Sequence, residues 1–151
     1  MLFGMPHARN LRKGRWSAKG QVYLITFVTK DRRPIFQEFR LARALICCIN
    51  TSPHVSTLAF VVMPDHVHWL ICLDGDAPLS KAIKSAKAIS ARRINRLRKS
   101  SGQTWQPGFH DYAIRREEDI RGVARYIVAN PIRSKLVRSV REYPHWDAIW
   151  I

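Results

Sequence analysis

Hydrophobic and polar residues alternate with two different periods along this chain. A period of two predicts strands, and apolar residues at helical spacing predict helices. In order, the predicted elements are a strand at 21–29, a helix at 36–50, a β-hairpin at 56–73, a helix at 79–99, a strand at 109–115 and a helix from 117 to about 130. Pro64 and Asp65 supply the turn of the hairpin.

This order predicts an α+β fold of the ferredoxin-like βαββαβ type. Four antiparallel strands would form a sheet with two helices on one face. The additional C-terminal helix would then lie over the other face, which otherwise stays open for a site. A length of 151 residues suits one domain. Within it, 1–19 reads as an irregular basic N-terminal arm, and 142–151 as an aromatic tail that packs on the body.

The charge is strongly unbalanced. The chain has 26 Lys and Arg against 11 Asp and Glu, for a net charge of +15. Such an excess favours a polyanionic partner, and nucleic acid first, although a generally basic solvated surface or a membrane-surface binder would also carry it. The arm and the helix at 79–99 are the predicted phosphate track. Its DNA-binding side chains would be Arg12, Lys13, Arg15, Lys81, Lys84, Lys87, Arg92, Arg93 and Arg96.

The lengths of the apolar segments and the number of cysteines bear on where in the cell the protein is expected. No apolar run approaches the ~20 residues that span a bilayer, and the first residues carry charge without the apolar run of a secretory signal. We therefore expect no membrane contact and a cytoplasmic protein, associated with the nucleoid through DNA. Three cysteines, Cys47, Cys48 and Cys72, form no disulfide framework. We expect them to be reduced core residues.

His66 and His68 are candidates for a metal site. In a strand, side chains two residues apart point to the same face, so the two imidazoles would lie side by side just after the turn. Two neutral imidazoles can form half of a divalent-metal site. The alternative is that both histidines only line a half-buried sheet face.

The last helix carries a second candidate pair. Tyr126 and Asn130 are one turn apart, on a line with Asp119 and Gly122 beside the apolar stripe. Taken alone, Tyr126 could be a flanking packing residue and Asn130 a C-terminal cap. Together with the histidines in a basic domain, the pair indicates a tyrosine nucleophile beside a metal that polarises a DNA phosphate. The metal would bind both histidines and the Asn130 amide oxygen.

Two motifs resemble a known family. They are Met-Pro-Asp-His-Val-His at 63–68 and the downstream Tyr-x-x-x-Asn-Pro at 126–131. They resemble the HUH single-tyrosine transposases, and most closely the REP-associated tyrosine transposases of bacteria. The stretches 14–17, 105–111, 130–137 and 143–147 are similar to that group as well.

The resemblance implies a Mg²⁺- or Mn²⁺-dependent DNA nuclease and strand transferase acting on single-stranded DNA or hairpins at repetitive extragenic palindromes. The family's metal ligands map to His66, His68 and Asn130, and its nucleophile maps to Tyr126, which would leave a 5′-phosphotyrosine. Gly14 and Ser17 fall in the stretch expected to recognise bases.

Two positions depart from related sequences. Asn130 replaces the glutamine usual in insertion-sequence relatives but agrees with the palindrome-associated group, and Ser134-Lys135 stands where Ala-Gly is common. A different class of function also fits the fold and the charge. A non-catalytic ferredoxin-like module could bind DNA or RNA by stacking bases on sheet aromatics. The sequence leaves open whether the protein is a monomer or a homodimer.

Overall fold

The structure is a computed structural model that describes residues 20–150. Its elements are β1 (Val22–Val28), α1 (Phe39–Asn50), β2 (Val55–Met63), β3 (His66–Leu73), α2 (Leu79–Arg98), β4 (His110–Ile114), α3 (Glu117–Val128), α4 (Asn130–Arg133) and β5 (Trp146–Ala148). Short 3-10 turns lie at Lys30–Arg32, Ile35–Gln37 and Val140–Glu142. Within residues 20–150, no helix is long and apolar enough to cross a membrane.

The strands form one antiparallel sheet in the order β4-β1-β3-β2-β5. The first four strands and α1 and α2 give the predicted βαββαβ order, so the ferredoxin-like class is confirmed. The predicted count of four strands is wrong by one, because the tail adds β5 along β2 opposite Ala59–Val61. The tail therefore packs on the body as predicted, but as a sheet edge. Three residues are too few for an alternation that sequence could reveal.

Alternation along β3 divides its side chains between two cores. Val67, Trp69 and Ile71 point to the face that α1 and α2 cover. Leu70 and Cys72 point to the opposite face, under α3. His66 and His68 share the parity of Leu70, so they lie on the α3 side, which we call the histidine face.

Three details of the predicted helices and core were wrong. Helix α1 begins at Phe39 rather than 36, because Glu38 is still extended at φ −82° and ψ 118°. The helical spacing of Ile83, Ala86, Ile94 and Leu97 predicts that these residues are buried along α2, but Leu97 is 36% exposed. Cys47 is exposed, whereas Cys48 and Cys72 are buried as expected.

Candidate active site

Backbone hydrogen bonds hold the hairpin turn that precedes His66. The Thr29 backbone N–H donates to the Asp65 carbonyl at 2.9 Å, and the Phe36 N–H donates to the Pro64 carbonyl at 3.0 Å. The Thr29 hydroxyl adds a second hydrogen bond to the Asp65 carbonyl, at 3.1 Å. The turn is thus tied to the segment between β1 and α1, and His66 follows directly as the first residue of β3.

The two histidines lie side by side on the histidine face. Their ring centroids are 4.8 Å apart, with the ring planes at 80°. The His66 Nδ1 lies 2.7 Å from the Asp65 Oδ1, and the His68 Nδ1 lies 2.8 Å from the Thr26 Oγ1. Each ring therefore has its Nδ1 held by an oxygen of the protein. The Nε2 atoms remain for a ligand, which is the usual support of metal-binding histidines.

Burial and nearby charges set the charge states of His68 and Asp65. Burial, together with the charges of His66 and Arg133, lowers the pKa of His68 to about 4, so its imidazole is neutral near pH 7. Burial alone would raise the pKa of the Asp65 carboxyl, but hydrogen bonds from His66 and Arg32 outweigh it and lower that pKa. Asp65 is therefore an anion that accepts from His66.

Tyr126, Asn130 and Arg133 form the other half of the site. Helix α3 ends at Val128, and the single turn of α4 begins at Asn130 with Pro131 in its first turn, which matches the predicted end near Asn130. That turn places the Arg133 guanidinium 3.7 Å from the centroid of the Tyr126 ring. Arg133 also donates a long hydrogen bond, 3.4 Å, to the Asn130 Oδ1. Arg133 thus contacts both predicted residues.

The charge of Arg133 affects both halves of the site. Its charge acts on His68, while its guanidinium covers Tyr126. The Tyr126 side chain is 63% exposed, and its hydroxyl donates to no other residue in the range 20–150. The phenol oxygen is therefore open to a substrate.

The pairing register extends the site towards the sheet edge. Thr26 of β1 lies opposite His68 on one side and opposite His110 of β4 on the other. Directly opposed residues share a face, so these three form one row on the histidine face. No cluster of three His, Cys, Asp or Glu side chains suited to a metal occurs in the described part of the chain.

The α2 part of the predicted phosphate track lies on the other side of the sheet from the histidines. Helix α2 packs on the face opposite the histidines, through Ile83, Ala86 and Ile94. Lys87 donates to the carbonyls of Gln106 and Gly108 and so holds the loop before β4. The remaining assigned side chains of α2 are Lys81, Lys84, Arg92, Arg93 and Arg96, of which Arg93 interacts with Cys47 on α1. Arg12, Lys13, Gly14, Arg15 and Ser17 lie outside the described residues.

Sequence reasoning missed several residues at this site. Asp65 and Thr26 hold the histidine rings, and Arg133 covers Tyr126. Asp65 was visible as the neighbour of His66, and the spacing of seven between Tyr126 and Arg133 is two helical turns. Thr26 and His110 reach the site only through strand pairing, which has no signal in the sequence.

The fold and this site define a class. A ferredoxin-like sheet presents a His-x-His pair on one face, and the helix packed on that face carries Tyr126. This is the arrangement expected from the resemblance to single-tyrosine transposases. The family follows from comparison with known proteins. A family model described as IS200-like transposase matches residues 17–130. The chain belongs to this family.

Individual relatives agree with that assignment. The REP-associated tyrosine transposase of Escherichia coli K12 is 27% identical over 138 residues, covering 86% of this chain and 78% of the relative. A Haemophilus influenzae relative is 28% identical over 142 residues, covering 84% and 79%. A solved structure of a REP-associated tyrosine transposase bound to a REP hairpin superposes with a TM-score of 0.71 at 27% identity, covering 87% of this chain and 79% of that one.

Proposed function

We propose that this transposase-family protein is a metal-dependent endonuclease and strand transferase. It would cut single-stranded DNA at REP-type hairpins through a 5′-phosphotyrosine. The observation that carries the proposal is a pair of histidines whose Nε2 atoms bond to no residue in the range 20–150, on the sheet face against which α3 packs.

His66, His68 and Asn130 would hold Mg²⁺ or Mn²⁺. The histidines fit, because their Nδ1 atoms are held by Asp65 and Thr26 and their rings keep a free nitrogen. Asn130 fits as well, since its amide oxygen has two lone pairs and Arg133 uses one of them. When bound, the metal would offset charge on the non-bridging oxygens of the phosphate.

The tyrosine performs the bond exchange. The Tyr126 oxygen attacks phosphorus and loses its proton, while the bond from phosphorus to the 3′ oxygen breaks and that oxygen takes up a proton. The products are a 5′-phosphotyrosine and a free 3′-hydroxyl, which can later reverse the reaction without a nucleotide cofactor. The guanidinium of Arg133 lies over the ring, where its charge opposes the negative charge of the attacking oxygen and the phosphate.

Hairpin DNA is the proposed partner. The relative solved with a REP hairpin covers 87% of this chain, and the net charge of +15 suits a polyanion. Because α2 lies on the face away from the histidines, its cations would contact the duplex stem or a distant part of the strand. The stretch from Gly14 to Ser17 would then read bases. Loss of hairpin selectivity after deletion of residues 1–17 would support this division of roles.

The competing function is a binder without chemistry, and the exposed aromatic Tyr112 on the sheet favours it as the second candidate. An experiment with DNA labelled at one end or the other distinguishes the nuclease from the binder. With Mn²⁺ present, hairpin DNA labelled at its 3′ end should become covalently attached to the protein, whereas a 5′ label should leave as a shortened free strand. Tight binding without any covalent product would instead establish the binder.

A further inference from the structure

We propose that a groove next to the candidate active site binds one unpaired nucleobase of the DNA strand, adjacent to the phosphate that is cut. The identity of that strand rests on the proposed function. The groove has a volume of ≈ 570 Å³ and lies between β1, β4 and α3. Its main contributors are Leu24, Tyr112, Arg115, Asp119, Gly122 and Tyr126. This volume lies within the range of small-molecule sites.

The groove is continuous with the site. Leu24 pairs with Tyr112, one row away from the row of His110, Thr26 and His68 on the same face. Two residues along a strand span roughly 7 Å, which is a short distance for a nucleotide. Tyr126 belongs both to the groove and to the cluster with Arg133. A phosphate held at Tyr126 therefore brings a neighbouring base to the groove.

The lining fits a base better than a phosphate. Tyr112 is 66% exposed on the sheet, so its ring is available for stacking and contributes little to the core. Arg115 supplies donors and Asp119 supplies acceptors, and within residues 20–150 neither forms an ion pair. A phosphate would be repelled by Asp119. An adenine, cytosine or guanine offers Asp119 an exocyclic amine, which thymine lacks.

Gly122 is an independent indication of a ligand. Glycine is a poor helix former, yet Gly122 lies inside α3. A Cβ atom built at this position meets no atom within 4 Å, and its φ is not positive. Neither packing nor backbone conformation in the described chain requires glycine here. Close approach of a ligand to the helix backbone would require it. Asp119 also suits the first turn of α3, so the decisive variants are at Gly122 and Tyr112.

The experiment measures binding without divalent metal, so that cleavage cannot interfere. The full-length protein is titrated with fluorescent hairpins that carry a single-stranded flank, and each flanking nucleotide in turn is made abasic. Wild type should lose affinity at one position, by about 5- to 150-fold, the range of one stacked base. Thymine at that position should bind more weakly than adenine, cytosine or guanine.

The protein variants then locate that base. Gly122→Leu should fill the groove and abolish the abasic effect, while Gly122→Ala should fold and raise the Tm by about 2–4 °C with a smaller loss. Tyr112→Ala should reduce the effect, and Tyr112→Phe should retain it. A hairpin without a flank should bind all four variants like wild type.

Two results would contradict the proposal that the groove binds a base. One is an abasic effect of the same size in wild type, Gly122→Leu and Tyr112→Ala, and the other is no position-dependent effect in wild type. Failure of the proposed function looks different, because a protein that never cuts DNA can still show base-dependent binding here. DNA cleavage without any base-dependent binding would contradict the base-binding role of the groove and leave the proposed function intact.

Discussion

Removal of the Asp65 carboxylate should weaken metal binding without unfolding the protein. The His66 Nδ1 lies 2.7 Å from the Asp65 Oδ1, a distance typical of charge-assisted hydrogen bonds. The two side chains are only 19% and 25% exposed, so water competes weakly. A hydrogen bond of this kind is worth about 1.5–3 kcal/mol. Loss of such support usually costs about 10- to 100-fold in metal affinity, or about 1.4–2.7 kcal/mol.

Calorimetric titration of Mn²⁺ into wild type, Asp65→Asn and Asp65→Ala measures this effect. Asp65→Asn keeps an acceptor oxygen and should fall between the other two proteins. Arg32→Gln is the matched control, because it removes the second partner of Asp65, an exposed ion pair at 2.9 Å worth about 0–1 kcal/mol. Its Mn²⁺ affinity should stay near that of wild type. Equal affinities for wild type and Asp65→Ala would refute the idea that Asp65 orients a metal ligand.

Three further predictions concern other groups. Arg133→Ala should slow single-turnover DNA cleavage by about tenfold or more, and Arg133→Lys by less, because Lys keeps the charge without the planar contact to the ring; equal rates would contradict the role given to Arg133. Burial raises the pKa of Tyr143 to about 12, so the free energy of unfolding should fall as pH rises from about 10 to 12, and Tyr143→Phe should show a smaller fall in alkaline denaturation curves. Burial raises the pKa of Cys72 to about 12 and also raises the pKa of Cys48, so a thiol reagent at pH 8 should label only the exposed Cys47 until the protein is unfolded.

The parts of the fold that follow local periodicity were predictable from sequence. The hairpin and the shared face of His66 and His68 depend on a period of two and a Pro-Asp turn, which are local properties. The line of Asp119, Gly122 and Tyr126 on one side of α3 follows from helical geometry, and all three line one groove. The local sequence was therefore enough to predict the hairpin, the shared face of the two histidines and the line of residues on α3.

Features that depend on pairing between distant segments were not predictable. The hydroxyl of Thr26 reaches His68 because β1 and β3 pair in one particular register. The strand β5 exists only because β2 offers a free edge to three residues of the tail. The charge pattern of α2 predicts a basic helix that could contact phosphates. It does not show which face of the sheet the helix covers, so the position of these charges relative to the histidines was not predictable.

The central claim is that the Tyr126 oxygen is the nucleophile, and one substitution tests it most directly. Tyr126→Phe removes only a hydroxyl that is bonded to no other residue of the described chain, so stability should change by less than about 0.5 kcal/mol. The measurement is the covalent protein–DNA adduct formed on hairpin DNA in Mn²⁺, with Tyr23→Phe as a control on the opposite face of the sheet. We expect a normal adduct for Tyr23→Phe and none for Tyr126→Phe, with hairpin affinity retained in both. An adduct at the wild-type level in Tyr126→Phe would contradict it.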